Sequence, residues 1–223
     1  MIPNDDFETD DREDASGIRH VVLLGDGLGD LARMQQSGAL EGRLLPARSE
    51  PWKLTLLSAS DIARTSLRPD IPKDATHVVI SIEGNRAIEA SGVLGGQPAS
   101  YEEGLARLSF AADQFEDQVE ALIRAGQATR LPTVICTMWP PRYPEPVRQR
   151  AAVAALTIFN WRIFCCALAA GISIVDLHNA CSDQSDYADD TLLSMSGLRK
   201  AANVVSRALR EVTSRGAGTE VFW

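Results

Sequence analysis

Seven side chains have the types and places that could do chemistry: Asp26, Asp61, Asn85, Arg86, His178, Asp189 and Asp190. Each follows a stretch that reads as a strand or lies in one late polar loop. Carboxylates near an imidazole are the parts of an acid–base site, because a neighbouring carboxylate favours the charged ring and fixes its orientation. Asp176 and His178 are two residues apart, so on one extended segment their side chains share a face. That makes His178 a candidate general base, although a partly exposed loop histidine is the plainer reading. Arg86 is a cation able to pair with Asp61, Glu83 or an anionic ligand, and a salt bridge is its plainer account. Asn85 could line a pocket or only satisfy backbone groups at a strand end. The run Val21-Val22-Leu23-Leu24 breaks into Gly25-Asp26-Gly27, which reads as a buried strand turning sharply toward a helix.

The elements that must hold these residues follow from the hydrophobic pattern. Apolar and β-branched runs predict five strands, over 20–24, 52–58, 77–82, 132–138 and 172–177. Helical spacing predicts helices over 28–38, 100–125, 147–170 and 194–215, with a short one capped by Ser60 or Asp61 after the second strand. Ser100-x-x-Glu103 is a capping box, and Gly126 and Gly171 are expected as helix stops. Residues 87–99 and 178–190 read as loops, and the prolines within 139–146 exclude regular structure there. Strands alternating with helices call for a parallel sheet covered on both faces. Ligands then sit outside the carboxyl ends of the strands, and that rim is where the seven residues fall. His20 and His77 begin strands at the opposite rim.

Composition narrows the classes. The chain has 223 residues, 45% hydrophobic and 23% charged, which suits one globular domain over 19–223. A formal net charge of -8 argues against sequence-independent nucleic-acid binding. No apolar run reaches about 18 residues, so no membrane span is expected. The amino-terminal segment lacks a basic-then-apolar pattern, which gives a cytoplasmic expectation. Within residues 1–18 seven carboxylates, from Asp5 to Asp14, oppose the single Arg12, which predicts a solvated acidic tail. Cys136, Cys165, Cys166 and Cys181 read as free thiols, without the Cys-x-x-Cys spacing of a zinc site. The three histidines are scattered, so no metal is expected. No cofactor is expected either: Gly25 and Gly27 begin a dinucleotide fingerprint, but Asp30 stands in its third glycine place.

Four stretches resemble, in order, the blocks of the SGNH/GDSL hydrolase superfamily, most nearly its small bacterial lysophospholipase-like members. They are Leu23-Leu24-Gly25-Asp26-Gly27-Leu28, then Val79-Ile80-Ser81-Ile82-Glu83-Gly84-Asn85-Arg86, then 131–142 with Phe159-Asn160 through Asp176-Leu177, and finally 187–201 with Gly197. The likeness runs over about residues 19–212. It implies an α/β fold, a three-layer αβα sandwich around a five-stranded parallel sheet, flavodoxin-like in plan. It also implies a site in which a serine attacks an ester, a histidine takes its proton and backbone and asparagine groups hold the oxyanion. Carried over by position, the serine is Gly27 and the histidine is Leu192, five residues before Gly197. The oxyanion glycine region reads Ser60-Asp61, and the aspartate after the retained Asn85 is Arg86. Asp189 matches the aspartate three before the histidine, with nothing to orient. The resemblance thus implies a hydrolase fold without nucleophile or base, holding a small-molecule ligand or a protein partner. The alternative is an enzyme: a residual ester hydrolase, or one using Asp26, Asp61, Asp189 or Asp190 for acid–base chemistry.

Overall fold

The structure is a computed structural model. It describes residues 20–31, 53–58, 70–92, 94–95, 98–215 and 219–223. The acidic tail, most of the helix expected over 28–38, the Ser60/Asp61 cap and Asp61 itself lie outside the described residues.

Six strands form one parallel sheet, one more than expected. They are β1 (His20–Leu24), β2 (Lys53–Leu57), β3 (His77–Ile80), β4 (Thr133–Cys136), β5 (Ser173–Val175) and β6 (Val221–Phe222), in the order β2-β1-β3-β4-β5-β6. β1 lies between β2 and β3, with Val22 opposite Thr55 on one side and Val78 on the other. The strands are apolar without alternation because both faces are covered. Val22, Leu24, Val78 and Ile80 join one core, and Val21, Leu23 and Val79 join the other.

Three helices cover the first face: α1 (Gly84–Ala90), α2 (Tyr101–Ala128) and α3 (Pro146–Ala170). α1 replaces the loop expected after the third strand. At α2 the Ser100 hydroxyl accepts the Glu103 N–H, and the Glu103 carboxylate accepts the Ala99 N–H. Gly126 does not stop this helix. It is buried inside it, where a Cβ would come within 3.2 Å of Ile80 Cδ1 and Thr133 Cγ2, so the glycine lets the helix lie close on the sheet. α3 opens on Glu145, whose carboxylate accepts the N–H groups of Val147 and Arg148, and it closes on Gly171 at φ +69°. By length and composition α3 could cross a membrane, which the run-length reading did not register; in this fold Leu156, Phe159 and Ile163 on it are buried.

The second face is covered by α5 (Met195–Arg215), with Leu198, Ala201, Val205 and Leu209 against the sheet. Between β5 and α5 the expected loop contains a four-residue helix, α4 (Leu177–Ala180), and a 3-10 turn at Gln184–Asp186. The histidines that begin β1 and β3 are buried. His20 lies 2.8 Å from Thr55 Oγ1 and 2.9 Å from Asp74, and burial pushes the His77 imidazole below its ordinary value.

Candidate ligand site

The turn after β1 is built from its glycines. Gly25 has φ +94°, where a side chain is strained, and its N–H donates to the Leu57 carbonyl at 2.9 Å. A Cβ there would lie 2.2 Å from the Ser81 carbonyl oxygen. Gly27 is just as tightly held: its N–H donates to Ser81, and a Cβ would lie 2.6 Å from the Ile82 carbonyl oxygen. The buried Ser81 hydroxyl accepts the Leu28 N–H at 3.0 Å. Residue 27 therefore has no room for a side chain while the backbone after β3 keeps this course.

That backbone leads directly into α1. Gly84 and Asn85 open it, and the half-buried Asn85 faces the turn across a shallow cleft of about 50 Å³. Asp26, Gly27, Glu83, Asn85, Trp139 and Leu192 are among its walls. Four residues that the sequence placed in one site, Asp26, Gly27, Asn85 and Leu192, are thus brought together from two loops and the first turn of α1. Trp139 is fixed by its indole N–H, which donates to the Thr191 carbonyl at 3.0 Å. Leu192 is 45% exposed, and its N–H is taken by the Asp189 carboxylate at 2.8 Å.

Arg86 stands beside the cleft, with Nη1 3.4 Å from Asp26 and Nε 3.1 Å from Glu83. The salt bridge, rather than a free cation awaiting an anionic ligand, is what the structure holds. Among the described residues that line this edge, Asp26 and Glu83 share the single cation Arg86, so the field they set up favours neutral or cationic groups over anionic ones.

The other acid–base candidates are placed elsewhere. Asp176 does not orient His178. It caps α4, accepting the Thr137 hydroxyl at 2.9 Å together with the backbone and side-chain N–H groups of Asn179. The chain turns into a helix at Leu177, so the strand alternation that would have paired Asp176 with His178 does not apply. The buried His178 Nδ1 has no hydrogen-bond partner among the described residues. Asp189 is spent on its own loop, accepting from Leu192 N–H and from both Thr191 donors, and these bonds hold its carboxyl below the usual range. Asp190 is exposed and lends its carbonyl to the Arg142 N–H.

A larger cavity of about 520 Å³ adjoins the cleft through Asp26 and Glu83. Sequence reasoning missed it, because its walls are what any core helix offers: Ala87, Ala90, Ala111, Phe115, Leu122 and Phe159. The one usable signal was Gln114 and Gln118, two amides a helical turn apart on α2 that both line it. Phe115 and Phe159 meet edge to face, 5.0 Å between centroids.

Three of the four thiols are held protonated. Burial pushes the Cys136 thiol far up, Cys181 up to about 12 and Cys166 up to about 11. Glu116, Glu120 and Cys166 do gather between α2 and α3, with ligand-type atoms within 4.8 Å of one another. Glu116 is already paired with Arg162 at 2.6 Å.

No family model matches the sequence, and no curated protein matches it. Solved structures do match. A phospholipase A1 from Streptomyces albidoflavus NA297 aligns with TM-score 0.55 at 17% identity, over 85% of this chain and 98% of that one. A lipase/acylhydrolase from Enterococcus faecalis aligns with TM-score 0.52 at 16% identity, over 88% and 96%. A protein from Slackia heliotrinireducens, provisionally classed as an SGNH hydrolase, aligns with TM-score 0.53 at 18% identity, over 86% and 98%. The chain has the SGNH-hydrolase-like α/β fold, a parallel sheet between helical layers.

Proposed function

We propose that this protein is a non-hydrolytic member of that fold, which binds a small molecule at the Asp26–Asn85 cleft and in the cavity behind it. The observation that carries the reading is the closure of the turn at Gly27. A substitution alone would leave an empty seat for a nucleophile; here the carbonyl of Ile82 occupies the space a Cβ would need. At the position matched to the histidine, Leu192 offers no proton acceptor, and removing even one member of such a triad costs several orders of magnitude in rate. The apolar cavity and the acidic edge suit a ligand with a compact apolar part and a neutral or cationic polar end. Asn85 is the side chain at hand to bond that polar end.

The test has two parts. A fluorophosphonate probe should leave the protein unlabelled, and a panel of p-nitrophenyl esters should be turned over no faster than by buffer. A thermal-shift screen of small neutral and cationic amphiphiles should find stabilising compounds whose effect is lost on Ala90→Trp, which fills the cavity wall. Turnover of simple esters by the wild-type protein at ordinary enzyme rates would overturn the reading.

A further inference from the structure

We infer that α3 packs against the same helix of a second copy of this chain, antiparallel about a twofold axis. The observation is a seam along its outward face. Val147, Ala151, Ala154, Ile158, Trp161, Cys165 and Leu168 recur at alternating steps of four and three, the spacing of the a and d positions of a helix pair. Val147 is 72% exposed, Trp161 64% and Leu168 57%, Ala154 is exposed, Ala151 and Cys165 are half-buried, and the half-buried Ile158 also touches the core with part of its side chain. The buried residues Leu156, Phe159, Ile163 and Ala167 lie on the opposite side of the helix. A surface helix ordinarily turns a charged face to water, and one that is apolar all round is a covered one. From Ala151 to Ala170 the only charge is Arg162, which is turned toward α2 and paired with Asp113 and Glu116.

Side-chain size and charge select the occupant and its direction. A parallel copy in register would set Trp161 against Trp161 and Ala154 against Ala154, giving a clash and a void. An antiparallel copy centred near Ile158 sets Trp161 over the partner copy's small Ala154 position and Val147 over its Leu168 position. Both contacts occur twice, as a twofold axis requires. The same arrangement lays the cationic first turn, with Arg148 and Arg150, beside the other helix's carboxyl end, where the helix dipole is negative. A parallel pair would instead bring the first-turn arginines of both copies together, with only the capping Glu145 of each copy beside them. The seam spans about 32 Å at 1.5 Å per residue, which is a long contact for one helix pair. This inference is independent of what the cleft binds.

Sedimentation velocity of the unmodified full-length protein over a concentration series should show a monomer–dimer equilibrium. Trp161→Glu should raise its dissociation constant by about 30-fold or more, the effect of a central interface tryptophan, with unchanged circular dichroism. Leu168→Glu provides a second, independent break in the seam. In a Cys165→Ser background and under mild oxidation, Ile158→Cys, near the axis, should form a disulfide-linked dimer, and Val147→Cys, remote from its own copy, should not. A wild-type protein that stays monomeric at several hundred micromolar overturns the proposal. A cross-link at Val147→Cys but not at Ile158→Cys overturns the antiparallel arrangement. Flotation of monomeric protein with phosphatidylcholine vesicles, lost in Trp161→Glu, assigns the face to lipid and overturns it as well.

Discussion

At the scale of single residues, Gly27 decides more than any other. Its neighbours leave no space for a Cβ, so Gly27→Ser is expected to destabilise the protein by about 1–3 kcal/mol, the usual cost of forcing atoms into a filled site. It should also create no hydrolysis, alone or with Leu192→His, because the serine would have to displace the backbone after β3. Denaturant midpoints and a p-nitrophenyl acetate assay check both halves. That Asp26, Gly27 and Asn85 belong together was legible through their places after strand ends, and Leu192 joined them through the resemblance, five residues before Gly197. Asp74 was not legible, because its partners come from two other segments. It lies beside Lys53 and His20, 2.9 Å from each. Those bonds, the Lys53 bond first, hold its carboxyl down at about 2. A depressed carboxylate adds stability that is complete above its ordinary value and is lost as pH falls through the depressed one. Wild type should therefore lose stability between about pH 4 and pH 2 more steeply than Asp74→Asn, and urea midpoints across that window measure the difference.

At the scale of elements, the segment before α5 is stapled rather than loose. Asp186 is fully buried, and Lys200 of α5 reaches it at 2.9 Å and Asp183 at 2.6 Å. The pair holds the Lys200 ammonium well above its ordinary value. Gly197 completes the staple, since a Cβ on it would lie 2.2 Å from the Asp186 carbonyl oxygen. Lys200→Met strands a buried carboxylate. Breaking such a pair destabilises, while the exposed lysine screens part of the effect, so the urea midpoint of Lys200→Met should fall below that of wild type. Adding Asp186→Asn to that variant should recover part of the loss, as a double-mutant cycle by urea unfolding would show. None of this could be read from the polar stretch 178–190, whose composition says only that it is not a strand. The long helices were legible because their caps and apolar faces agree. α1 was not, being a seven-residue helix preceded by a glycine-bearing strand end and followed by more glycines. Gly126 misled because a glycine at a helix end and a glycine at a close helix–sheet approach look alike in one dimension.

At the scale of the whole molecule, the parallel plan was legible because strands and helices alternate and the strands are apolar on both faces. The sixth strand escaped because two residues, Val221 and Phe222, carry too little pattern to register. Its weight in the assembly is nonetheless testable. The N–H groups of Ile174 and Asp176 donate to the carbonyls of Glu220 and Phe222 at 2.8 and 2.6 Å, so β6 satisfies the outer edge of β5. Phe222 is 5% exposed and packs with the α5 core, and the Arg207 guanidinium holds the Trp223 carbonyl. Two effects can therefore be separated. Phe222→Ala removes the buried ring but keeps the backbone bonds, and should cost about 3 kcal/mol with the protein still monodisperse or dimeric. Removing residues 219–223 should cost at least as much and, in addition, bare the β5 edge, whose unpaired donors and acceptors invite strand addition. Light scattering that rises with concentration in the truncated chain, and not in Phe222→Ala, is the expected outcome. A truncated chain with the wild-type denaturant midpoint and no scattering would mean that the sheet is complete at β5.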